Sequence, residues 1–391
     1  MSKVMLVNHH TDPEMVTGAE KVLLAAGLSC LEQRMEVVWV SPQPGLSCDR
    51  AARTGMEVHI AEYPVLWNFV HDPSRLDEDC RAFEQAAPGS PLSRLVCAQR
   101  PDWIVAGSAI NLMPAIVARQ QGVPLCWYIQ EIMPGHPGLS PLLMRIRQYA
   151  DRILAPSEAV RRSLAACGMS PDSVQVLPYG TDIPPAEAIR RHRRSLRLCF
   201  GWTEEHVAVG WFGSVYRGKG LLELLQASAY FRHRGKIAIV AAGNAVEADY
   251  LQQCLDEARR IAPVEWRYLG ALPNIEPLLA AVDLVAIPSL VADASPNIAL
   301  EAMACGRCVV AYASGGLPEI VAHGDTGYLV PNGDAAALGR TIAELAEHDG
   351  KREKAGRKGR RHAISRFGLS RFKADFVAML HSGAERGEQQ P

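Results

Sequence analysis

Along the chain, short runs of apolar and β-branched residues alternate with longer segments whose apolar positions recur every three or four residues. The runs KVMLV, EVVWVS, EVHI, DWIVA, PLCWYI, RILA and VQVL predict strands in the first half, and VAVGWF, KIAIVAA, EWRYL, DLVAIP, CVVAYA and GYLV predict them in the second. Segments such as GAEKVLLAAGLSCLEQR, KGLLELLQASAYFR and SRFKADFVAMLHSG predict helices between and after them. This alternation is the mark of parallel α/β architecture. The stretch PYGTDIPPAEAIRRHRRSLRL, with its prolines, glycine and arginines, reads as the linker between two doubly wound sheets, and the polar tail AERGEQQP reads as disordered. Doubly wound sheets bind ligands at the carboxyl ends of their strands, which puts the expected working site in the cleft between the two.

Length and composition narrow the class. A chain of 391 residues is long enough for two or three domains, each with a full core. Hydrophobic content of 48% and charged content of 21% are those of a globular enzyme, and a formal net charge of -1 argues against nucleic acid as a partner. The first apolar run is too short for a signal peptide and no stretch approaches the roughly 20 apolar residues of a membrane span, so a cytoplasmic protein is expected. The ten cysteines lie mostly in apolar segments without even spacing, which predicts buried thiols and no disulfide framework. Cys305 and Cys308 form a C-x-x-C, but no second pair follows at metal-ligand spacing, so they read as two packed thiols at a helix-to-strand turn.

The candidate chemistry is concentrated in the second half. In DASPNIALEAMACG, Ser295 is a good N-cap, Pro296 suits the first helical position and Gly306 ends the helix. Asp293 precedes this helix and Glu301 lies inside it, roughly 7 Å along the axis from Pro296. Free N–H groups at the helix entrance attract an anion, while flanking carboxylates accept hydrogen bonds from hydroxyls. A nucleotide sugar, with ribose, diphosphate and hexose in line, has that shape; an ordinary capped helix with solvated acids is the alternative. In VGWFGSVYRGKGLLELLQA, Gly213, Gly218 and Gly220 let backbone approach a ligand, with Lys219 and Arg217 beside them for a phosphate. It is neither a Walker loop nor a G-x-G-x-x-G pattern. In the first half, Gly18 follows Thr17 at a helix start, and His9 and His10 end the first strand.

Together, TGAEKVLL, ADRILAPSEAVRRSL, VQVLPYGTD, FGSVYRGKGLLELLQA, PSLVADASPNIALEAMACG and GGLPEIVAHGDTGYLV closely resemble the retaining glycosyltransferases of the glycogen-synthase-like family 4, in motif order and spacing nearly end to end. The resemblance implies the α/β GT-B fold: two Rossmann-like, doubly wound parallel-sheet domains facing a central cleft. The acceptor domain would span residues 1–183, completed by a C-terminal helix at about 370–386, and the nucleotide-sugar domain residues 184–369. The family's E-x7-E signature falls on Asp293 and Glu301, which would face the donor hexose and the ribose hydroxyls. Ser295, Asn297 and Ile298 would meet the diphosphate or the transferred sugar. Lys219 matches the family lysine on the diphosphate, Leu269, Gly270 and Leu272 would cradle the base, and Gly18 would cover the phosphates.

Three departures from the family pattern stand out. Asp293 replaces a Glu; Ser214 stands where many members have an Arg, so that either Arg217 supplies the missing charge or the site runs with less; and Gln130 replaces a His. A glutamine can hydrogen-bond a sugar but cannot take a proton, a role the family's usual account gives to the leaving phosphate. Glu131 would either orient the acceptor or sit exposed at a strand end. No metal and no cofactor is implied, because fixed positive groups would meet the departing diphosphate. The expected activity is transfer of a sugar from a nucleoside-diphosphate donor to a hydroxyl acceptor. A non-catalytic nucleotide-sugar-binding scaffold and a sugar-nucleotide 2-epimerase of the same fold are the alternatives. The segments SPLLMRIRQYADRIL, EAVRRSL and IRRHRRSLR suit peripheral contact with an anionic membrane face, or simply solvated helix surfaces. No pattern in the chain specifies an oligomeric state.

Overall fold

The computed structural model describes residues 2–11, 13, 16–67, 72–231 and 236–381. The tail AERGEQQP and part of the aromatic segment YPVLWNFVHDP lie outside the described residues. Each predicted apolar run is a strand. The first seven are β1 (Lys3–Val7), β2 (Glu36–Ser41), β3 (Glu57–Ile60), β4 (Trp103–Gly107), β5 (Leu125–Tyr128), β6 (Arg152–Ala155) and β7 (Val174–Val176). They form one sheet in the order β3-β2-β1-β4-β5-β6-β7. The other six are β8 (Val207–Phe212), β9 (Ile237–Ala242), β10 (Glu265–Tyr268), β11 (Leu284–Ile287), β12 (Cys308–Tyr312) and β13 (Tyr328–Val330). Their order is β10-β9-β8-β11-β12-β13. Both sheets are parallel. Helices cover both faces of such sheets, which is why β8 and β9 are buried at every position and read as unbroken apolar runs. In each sheet the strand order reverses beside the first strand of its set, between β1 and β4 and between β8 and β11. Those reversals open a crevice at the strands' carboxyl ends.

The chain divides into two compact units: residues up to Gly180 together with those from Ser370, and Thr181–Leu369. The helix Leu369–His381 buries Phe372, Phe376, Val377 and Leu380, and Arg371 donates to the Pro178 carbonyl at 2.6 Å in the first unit. Beside it, Lys373 pairs with Glu32 of the helix Gly18–Glu32.

The arginine-rich stretch expected as a linker is mostly the helix Ala186–Phe200. The reason is a charge partner distant in sequence. Arg193 and Arg197, one turn apart, reach Asp283 at 2.7 and 2.9 Å, and Asp283 also accepts from the Ala208 amide at 2.8 Å. Arg197 is buried and bonds the Thr203 and His206 carbonyls as well, locking the helix to the starts of β8 and β11. Burial alone would raise the Asp283 carboxyl, but Arg193, the Ala208 amide and Arg197 together hold it below the ordinary range. Part of the basic run is therefore internal structure. The same holds for Arg145, which is buried and paired with Glu84 at 2.7 Å.

Candidate functional site

In the second unit, the loops that follow β8 and β11 meet at the strand-order reversal. Leu290 N–H donates to the Gly218 carbonyl at 2.9 Å. Gly220 has φ of +70°, and a Cβ there would sit 1.8 Å from the Pro288 carbonyl oxygen, so only glycine fits. Trp211 Nε1 donates to the Lys219 carbonyl at 3.2 Å and fixes that residue's backbone. Lys219 ends a 3-10 turn, Arg217–Lys219, directly before Gly220, the N-cap of the seven-residue helix Leu221–Ala227. Its ammonium meets the Asp293 carboxylate at 2.5 Å, with 26% and 19% of the two side chains exposed. Asp293 is held from the other side, because its carbonyl accepts from Gly316 N–H at 2.8 Å and a Cβ on Gly315 would sit 2.1 Å from that oxygen.

The helix after Asp293 spans Asn297–Ala304, one residue later than expected. Pro296 has ψ of 109°, outside the helical range, and occupies the N-cap position in place of Ser295. No side chain caps this start, so its first N–H groups are not spent on a cap. Ser295 is buried, Asn297 and Ile298 are half-buried at the mouth, and half-buried Glu301 follows on the next turn. At the far end, Gly306 N–H bonds Met303 O and Arg307 N–H bonds Ala302 O, with Gly306 at φ of +73°; this αL stop is the one its sequence predicts.

The loops after β9 and β10 complete the rim. Val215 N–H donates to Asn244 O at 2.7 Å, Gly243 N–H to Gly270 O at 2.8 Å, and Tyr268 OH to Gly243 O at 2.7 Å. A Cβ on Gly243 would lie 1.7 Å from the Gly213 carbonyl oxygen. Gly213, Ser214, Leu269, Gly270 and Leu272 thus lie on adjoining strand ends, and Gly270 has open space on its Cβ side. Gly243 and Asn244 belong to this rim and were not anticipated. The signal for them is a glycine directly after an all-apolar strand, as in WFGS. Arg217 goes elsewhere: its guanidinium bonds Asp249 at 3.1 Å and Gln253 at 3.2 Å and lies 5.5 Å from the Tyr250 ring.

In the first unit, Gly18 opens the helix Gly18–Glu32, whose start carries a capping box: Thr17 N–H donates to Glu20 at 2.8 Å and Glu20 N–H to Thr17 Oγ1 at 3.4 Å. Gln130 follows β5, and both its amide oxygen and nitrogen are buried without a hydrogen-bond partner. Such groups are costly unless water or a ligand meets them. Glu131 is half-buried rather than exposed. It accepts from the Ser108 hydroxyl and from Ala109 N–H at 2.7 Å, holding Ser108 at φ of +75°. Burial raises the Glu131 carboxyl, against the lowering effect of those bonds.

Known proteins resemble this chain in sequence and fold. A family model described as Glycosyltransferase Family 4 matches residues 16–183, and one described as Glycosyl transferases group 1 matches residues 206–348. The chain belongs to glycosyltransferase family 4. This family 4 chain is 28% identical over 302 residues to D-inositol 3-phosphate glycosyltransferase 1 of Catenulispora acidiphila, covering 71% of each. It is 32% identical over 165 residues to the lipopolysaccharide 1,2-N-acetylglucosaminetransferase of Salmonella typhimurium, covering 40% of this chain and 42% of that one. Its fold matches the crystal structure of Anabaena HepE in complex with UDP and glucose, with a TM-score of 0.82 at 22% identity, over 98% of this chain and 100% of that one. The fold is GT-B.

Within this glycosyltransferase, the structure brings Lys219, Asp293 and the start of Asn297–Ala304 into one locality, and Gly213, Ser214 and Gly270 into the adjoining rim. Cys305 and Cys308 are buried at the helix-to-strand turn, and burial pushes both thiols up to about 12. Among the described residues, no group of three or more His, Cys, Asp or Glu is placed to hold a metal ion, and no helix is long and apolar enough to cross a membrane.

His9 gives a test of the first unit's strand ends. Burial, helped by the charge of His10, lowers its pKa to about 4. The unfolded chain then takes up a proton below its ordinary pKa of about 6.5 that folded His9 refuses, so stability falls as pH drops through that interval and is unaffected above it. His9→Gln should shrink the loss of stability between pH 7 and 5 by about 1–2 kcal/mol in urea titrations. Identical pH dependence in the variant would show that His9 is solvated.

Proposed function

We propose that this protein transfers a sugar, with retention at the anomeric carbon, from a nucleoside-diphosphate sugar to a hydroxyl of its acceptor. The observation that carries the reading is the Lys219–Asp293 pair at the β8/β11 reversal, beside a helix start that no side chain caps. A diphosphate placed there gains an ammonium and oriented N–H groups, which stabilise the charge that develops as the nucleoside diphosphate leaves. These fixed groups support a metal-independent reaction. Asp293 accepts from the hexose, Glu301 from the ribose, and Ser295, Asn297 and Ile298 line the phosphate side. The base rests on Leu269, Gly270 and Leu272, beside Gly213 and Ser214. In the first unit, Gln130, whose amide lacks partners, is proposed to hydrogen-bond a sugar hydroxyl, and Gly18 is proposed as a phosphate contact. Arg217, exposed and paired with Asp249, would have to leave that partner to add charge to the site. Relatives named for D-inositol 3-phosphate and for lipopolysaccharide support a hydroxyl acceptor.

The test is donor affinity. Glu301→Ala removes a charged acceptor from buried ribose hydroxyls, worth about 1.5–3 kcal/mol. With whichever UDP, GDP or ADP sugar the wild type binds, calorimetry should show Kd rising roughly 10- to 150-fold. Unchanged affinity would remove Glu301 from the donor. Conversion of the donor to an isomeric nucleotide sugar without any acceptor would establish an epimerase instead.

A further inference from the structure

Lys219 and Asp293 have separate tasks in the proposed donor complex, yet here they hold each other at 2.5 Å. An ammonium bound to a carboxylate offers a phosphate much less than its full charge. Neither residue can separate by an easy backbone shift. Gly220 lies against the Pro288 carbonyl and Leu290 bonds Gly218, which fixes the lysine's loop. Gly315 and Gly316 close on the Asp293 backbone and fix the other side. Only the two side chains are able to change partners.

We propose that Asp293 exchanges partners through the cycle and thereby discriminates the sugar-bearing donor from the bare nucleoside diphosphate. In the empty site Asp293 neutralises Lys219. When the donor arrives, Lys219 turns to the diphosphate and the freed carboxylate accepts from a hexose hydroxyl, so one interaction replaces the other. A bare nucleoside diphosphate takes Lys219 in the same way but has no hexose hydroxyl to offer Asp293, leaving the carboxylate without a partner close to a phosphate. Asp293 then recaptures Lys219 and favours product release. The inference rests on the proposed donor site, and its test separates the two.

The experiment measures Kd by calorimetry for UDP, GDP and ADP, and for the matching sugar nucleotides, with wild type, Asp293→Asn, Lys219→Met and the double variant, each checked for an unchanged melting temperature. Asp293→Asn should bind the preferred bare nucleotide about fivefold more tightly, the size expected of a partly exposed ion pair, and its sugar nucleotide no more tightly than wild type. In the Lys219→Met background the same substitution should tighten bare-nucleotide binding less than it does with Lys219 present, since only repulsion between carboxylate and phosphate is left to relieve. Unchanged bare-nucleotide affinity in Asp293→Asn overturns the exchange. Equal tightening with and without Lys219 also overturns it, since that is simple repulsion between carboxylate and phosphate. Bare-nucleotide affinity that Lys219→Met leaves at the wild-type value overturns the donor site itself.

Discussion

Lys219→Met should lower turnover by about 10²–10³-fold while the melting temperature stays within about 2 °C of wild type. The magnitude is that of removing one preorganised group from a site where negative charge develops. The small structural cost follows from the backbone: Lys219 is anchored through its carbonyl to Trp211 Nε1, and Gly220 packs on Pro288 whatever the side chain at 219. Methionine keeps the length of the aliphatic stem and deletes only the charge. Steady-state kinetics with a saturating donor, paired with a thermal melt, checks both halves. A parallel loss of activity and melting temperature would make Lys219 a structural residue whose partner is simply Asp293.

Asp283→Ala should have the largest effect on stability, about 3–5 kcal/mol, because it leaves the buried guanidinium of Arg197 and the half-buried one of Arg193 without their shared carboxylate. The affected piece is the unit Thr181–Leu369, where the clasp joins the helix Ala186–Phe200 to the starts of β8 and β11. For a unit of this size the loss corresponds to a fall of roughly 6–20 °C in its calorimetric transition. The clasp holds the Asp283 carboxyl below its ordinary range, so its contribution is complete above the unfolded pKa and is lost only as pH falls through the lower folded value. The wild-type advantage over Asp283→Ala should therefore persist at pH 7 and shrink in strong acid. A loss below about 1 kcal/mol at pH 7 would mean that the pair behaves like an exposed one.

The strands were legible because parallel sheets covered on both faces demand continuous apolar runs, and VAVGWF or CVVAYA has no other good use. Much of the candidate site was legible for local reasons too, as with Gly306 and its αL stop. What the sequence concealed depends on contacts across long separations. The run AIRRHRR looks solvated until Asp283, 90 residues from Arg193, is brought to it. Glu131 reads as either an acceptor contact or an exposed strand-end acid, and its bonds from the Ser108 hydroxyl and Ala109 amide are not visible in the sequence. The Lys219–Asp293 pair joins positions 74 residues apart, which no local pattern encodes. The misplaced cap at Ser295 is a smaller error of another kind, since the proline after it took an extended ψ where a helical one was expected.

The placement of the donor is tested most directly by a crystal structure of the protein with an intact nucleotide sugar that it binds. The diphosphate should lie at the start of Asn297–Ala304 in contact with Lys219, with Glu301 accepting from the ribose. A donor bound away from that helix start, with Glu301 making no contact to the pentose, would contradict the account.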